Sequence, residues 1–157
     1  ATVLNTMDPA QYSVNYYQTE NAAENGGTPI STPSAYPSQS GLVWITVTNN
    51  ATGCFDVVEL ELVVNPLPVA NPPLPYSLCD EETLNDGIEE FDLTSTIPDI
   101  TGDAPGVAVS FYHSYADAVA GTGAIATPSA YSNVASPAVE AIYVKVEDVE
   151  TGCYRIV

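Results

Sequence analysis

The chain of 157 residues carries 20 acidic side chains against two basic ones, Lys145 and Arg155, for a formal net charge of −18. With no cationic surface to displace phosphate counterions it is not expected to bind nucleic acid, and an anionic membrane face would repel it. Because 45% of residues are apolar and 14% are charged, the chain reads as folded rather than disordered. No apolar run reaches the roughly 18 residues of a membrane span, so direct membrane insertion is not expected of this segment either.

Thirteen prolines, ten glycines and strings of Val, Ile, Thr and Tyr favour strands and turns over helices. In chain order, Tyr12, Val14 and Tyr16 define a first inward strand face by period-two alternation. The alanine-bearing stretch 19–24 predicts a short helical turn. Val43, Ile45 and Val47 then alternate with Trp44, Thr46 and Thr48, and Val58, Leu60, Leu62 and Val64 alternate with Glu59 and Glu61. Residues 65–75 hold five prolines and predict an extended connector. Beyond it come an inward pair, Phe91 and Leu93, a strand with Val107, Val109 and Phe111, a helical turn over 114–120, and a strand burying Ile142, Val144 and Val146.

These elements occur twice. Val14-Asn15-Tyr16-Tyr17 returns as Val109-Ser110-Phe111-Tyr112 at an offset of 95, and the pentapeptide 32–36 returns unchanged at 127–131. Thr52-Gly53-Cys54-Phe55 returns as Thr151-Gly152-Cys153-Tyr154 at an offset of 99, the difference falling in a longer loop within 132–140. Ala1 aligns near Thr96 and Val157 with Val58, so each copy is expected to be incomplete. The expected architecture is all-β: tandem immunoglobulin-like antiparallel β-sandwich modules. The division is 1–65 for a first module lacking its opening portion, 66–75 for the linker, and 76–157 for the second.

The repeat also orders the cysteines. Cys79 opens the second module and Cys153 closes it, while Cys54 is the first copy of Cys153. A Cys79–Cys153 disulfide with Cys54 lacking its partner is the expectation, and two reduced, buried thiols are the alternative. A disulfide would imply an oxidising, extracellular setting.

Candidates for chemistry are few. The lone histidine, His113, aligns with Gln18, and most carboxylates are unmatched between copies, so no catalytic residue and no enzyme are expected. The acidic stretch from Asp80 to Asp92 offers Asp80, Glu82, Asn85, Asp86, Glu90 and Asp92 as oxygen ligands for Ca2+ around Gly87. Its spacing is not that of an EF-hand, and a solvated acidic turn is the alternative. Tyr17 with Trp44, and Tyr112 with Tyr143, are candidate glycan-stacking pairs or else cross-strand pairs that stiffen a sheet.

Several segments resemble one family. Leu78-Cys79-Asp80, Asp86-Gly87, Phe91-Asp92-Leu93-Thr94, the pentapeptide 127–131 and Thr151-Gly152-Cys153-Tyr154 are similar to repeats of giant cell-surface adhesins of the Bacteroidetes, including gliding-motility adhesins exported by the type IX secretion system. The resemblance implies an extracellular, cell-surface stalk anchored at the outer membrane through other parts of a longer protein. Neighbouring repeats of the same chain would be its partners, with an unidentified surface or polysaccharide as ligand. A carbohydrate-binding module of a secreted protein is the competing expectation.

Overall fold

A computed structural model describes residues 8–81, 86–133 and 139–157. The chain divides into two compact units, Ala1–Val64 and Asn65–Val157. Both are rich in antiparallel β-strands with short helices between them.

In the first unit, β1 (Tyr12–Tyr17), β2 (Gly41–Asn49) and β3 (Phe55–Leu62) form one sheet in the order β1-β2-β3. The register sets Tyr17 opposite Trp44, Ile45 opposite Val58 and Val43 opposite Leu60. The predicted helical turn forms as α1 (Glu20–Glu24), where the extended Thr19 accepts the amide of Ala22 through Oγ1 and satisfies one of the otherwise orphaned first-turn donors. Ala23 of this helix and Tyr17 of β1 are both buried.

The second unit repeats this plan and adds to it. Its main sheet is β5 (Val107–Tyr112), β7 (Tyr143–Asp148) and β8 (Tyr154–Ile156), again with the second strand in the middle. A second sheet pairs β4 (Glu90–Phe91) with β6 (Tyr131–Ser132). Two helices complete it, α2 (Ile97–Thr101) and α3 (Tyr115–Ala120). α3 copies α1: the extended Ser114 caps it by accepting the amide of Asp117. The backbone around the repeated pentapeptide also matches, with Thr32 at φ −132, ψ 70 and Thr127 at φ −128, ψ 72 before the same short 3-10 turn. Ile30 N–H donates to Tyr16 C=O, as Ile125 N–H does to Phe111 C=O.

The units differ in what covers the sheet. In the second, Ala70, Leu93 and Ile100 pack with Phe111, Tyr131, Val144 and Val146 in one core. The proline-rich stretch is therefore no free connector throughout: Ala70 is buried and Asn71 N–H donates to Ile100 C=O. In the first unit Val58 and Leu60, expected inward, remain 43% and 39% exposed, while Val43 and Ile45 beside them on β2 are buried. The same difference separates the repeated tyrosines. Tyr131 is buried opposite Phe91 of β4, whereas Tyr36 is half-buried and has no such strand beside it among the described residues.

Candidate functional site

The most closely repeated feature is a corner that presents a cysteine. Asn49 Oδ1 accepts the amides of Ala51 and Thr52, and its counterpart Asp148 Oδ1 accepts those of Glu150 and Thr151. These bonds hold the Asp148 carboxyl below the usual carboxylate range, first through the Thr151 amide and then its hydroxyl. In each copy a threonine hydroxyl then accepts the cysteine amide, Thr52 to Cys54 and Thr151 to Cys153, both at 3.3 Å. The cysteine carbonyl closes the hairpin by accepting from Asn49 or Asp148. Gly53 and Gly152 turn the chain with φ of 72 and 71, a left-handed conformation that costs other residues about 1–2 kcal/mol. Since an added Cβ at either position meets no atom within 4 Å, Gly152→Ala should destabilise the second unit by that backbone cost alone. Urea unfolding would check it, and an unchanged midpoint would contradict the corner's strain.

Cys153 sits beside Asp148, where β5 begins and where Val149 N–H donates to Gly106 C=O. Asp80, next to Cys79, accepts the Gly87 amide, and Gly87 C=O accepts from Asn133. Two residues from Asn133, the Tyr131 hydroxyl donates to Glu140 at 2.5 Å. Glu140 in turn pairs with His113 at 3.4 Å, just past the far end of β5. Cys54, Cys79 and Cys153 each stand as free cysteines in this structure, Cys54 and Cys79 exposed and Cys153 half-buried.

The acidic segment folds mainly on itself. Asp80 Oδ2 accepts from Gly87 N–H, Asp86 Oδ1 from Ile88 N–H, and Asp92 Oδ1 from Thr94 N–H as the cap of a 3-10 turn. Glu90 is exposed on β4 opposite Ser132. Glu82 and Asn85 of the candidate Ca2+ set lie outside the described residues. Among the described residues no group of three or more His, Cys, Asp or Glu side chains is arranged to hold a metal ion.

The candidate glycan platforms are not open faces. Tyr17 and Tyr112 are 7% and 4% exposed, because α1 and α3 lie over that side of each sheet. Neither can offer a ring face to a sugar. Trp44 is half-buried, and Tyr143 meets the Tyr115 ring edge-on at 6.1 Å.

A feature missed in the sequence lies beside Trp44. Glu20 and Glu24 of α1, with Trp44, Phe55, Asp56 and Glu59 of the sheet, line an open cleft of about 580 Å³. In the second unit the corresponding ring, Tyr154, carries the Lys145 ammonium 4.4 Å from its centroid. Lys145 also bonds to Glu147 at 2.5 Å. That bond raises its pKa and outweighs the opposing effect of burial.

Two successive β-rich units with matching cysteine corners define a tandem β-rich module. The chain belongs to the family described as the Flavobacterium inter-domain disulphide bond domain, which it matches over residues 1–68 and again over 75–157. No curated protein and no solved structure matches it.

Proposed function

We propose that this chain is a stretch of a long extracellular surface protein, in which immunoglobulin-like sandwiches follow one another as non-catalytic spacers. Disulfides join cysteines of different units rather than two cysteines of one unit. The observation that carries this reading is the pair of matched corners, each spending an Asx turn, a threonine hydroxyl and a left-handed glycine on presenting one thiol. The family's description by a bond between domains supports it.

Such bonds need an oxidising compartment, which fits a location outside the cytoplasm. A stalk of this kind grows by adding copies, since each unit contributes its own core. Its net charge of −18 keeps neighbouring filaments apart. Resemblance to the gliding-motility adhesins extends the reading to surface attachment by a type IX secretion substrate.

The test is disulfide mapping of the mature surface protein, digested without reduction and read by mass spectrometry. The expected result is corner cysteines linked to cysteines of other units. A peptide joining Cys79 to Cys153 would overturn the scheme.

A further inference from the structure

We infer that the cleft beside Trp44 is a binding site for the ammonium group of a lysine side chain on a partner protein. The argument rests on comparing the two copies at one place. In the second unit the place is self-occupied: Lys145 lies over Tyr154 and is paired to Glu147, and Tyr115 stacks edge-on against Tyr143. The first unit keeps the aromatic rings, with Phe55 for Tyr154 and Trp44 for Tyr143, but changes what surrounds them. Thr46 replaces Lys145, so the internal cation is gone. Glu20 replaces Tyr115 and Glu24 replaces Val119, so carboxylates stand where the second unit has apolar side chains.

The result is two aromatic rings with Glu20, Glu24 and Glu59 around them and no cation of their own. An ammonium over an aromatic face gains from the ring quadrupole, most strongly over tryptophan, and adjacent carboxylates add charge-assisted hydrogen bonds. Phe55 is 52% exposed, leaving its ring open to a ligand. Lys145, the one lysine of this segment, is already engaged by Glu147 and Tyr154, so the ligand is a lysine outside the segment, on a partner protein.

Trp44 is the only tryptophan, so its fluorescence reads the site directly. The intact chain is titrated with pentalysine and with its fully acetylated counterpart at fixed ionic strength. Pentalysine is expected to shift the Trp44 emission saturably, and the acetylated peptide to leave it unmoved. Because the whole chain attracts cations, a variant with Glu20→Gln and Glu24→Gln is compared with one of equal net charge, Asp103→Asn with Glu150→Gln. The first should bind about tenfold more weakly and the second like the parent. Equal weakening in both, or no emission change with pentalysine, would overturn the assignment. Spermidine at equal ionic strength separates a peptide side chain from a free polyamine: binding tighter than pentalysine would also overturn it.

Discussion

Replacing Ile100 by alanine should lower the stability of the second unit by about 2–5 kcal/mol, the usual cost of emptying a fully enclosed aliphatic site. Ile100 is completely buried on α2, against the sheet residues Phe111, Val144 and Val146. Part of the cost is lost transfer free energy, and part is the cavity left where the short helix cannot collapse onto the sheet. For a unit of this size the melting midpoint should fall by roughly 10 °C or more. Thermal unfolding followed by circular dichroism would measure it. Trp44 fluorescence, which belongs to the first unit, serves as an internal reference and should keep its midpoint. In contrast, Val58→Ala in the first unit should cost under about 1 kcal/mol, because that residue is already 43% exposed. A large loss from Val58→Ala together with a small one from Ile100→Ala would mean that the two cores had been assigned the wrong way round.

The contrast between those residues also shows how far the sequence could be read. Alternation located β1, β2, β3, β5 and β7, because strand period is a local property and these segments lack competing patterns. The helical turns α1 and α3 were likewise visible through the alanines of 19–24 and 114–120. α2 was missed. Five residues with a proline near the start give no helical period, and the available signal was Pro98 inside the first turn with a left-handed Gly102 after the last. Without α2, nothing in the sequence said which copy would have its apolar face covered.

The errors at the candidate sites share another cause. Tyr17 and Tyr112 sit at outward positions of their strands, and alternation assigns outward positions to solvent. It cannot know that a helix of five or six residues will fold back over that face. The cleft beside Trp44 escaped because its evidence is a difference between outward positions of the two copies. The search for a repeat rewards similarity and passes over such changes.

Raising the pH should destabilise the second unit through Tyr131. Burial pushes its phenol well above the ordinary value near 10, and both the hydrogen bond to Glu140 and the charge of that carboxylate raise it further. The folded state therefore holds the proton more tightly than the unfolded chain does. By linkage the resulting stability is fully present below pH about 10 and is lost as the pH rises toward the folded value. Lys145 is shifted in the same direction by Glu147, so its contribution declines over an overlapping alkaline range. Tyr131→Phe removes the titrating hydroxyl while keeping the ring against Phe91 and His113. At neutral pH that change should cost about 1–3 kcal/mol, because Glu140 loses a half-buried donor. Above pH 10 the deficit should shrink, since the parent loses stability that the variant never had. Denaturant midpoints for both proteins across the alkaline range would show the two curves converging. Parallel curves would mean that the Tyr131–Glu140 bond does not couple folding to proton binding.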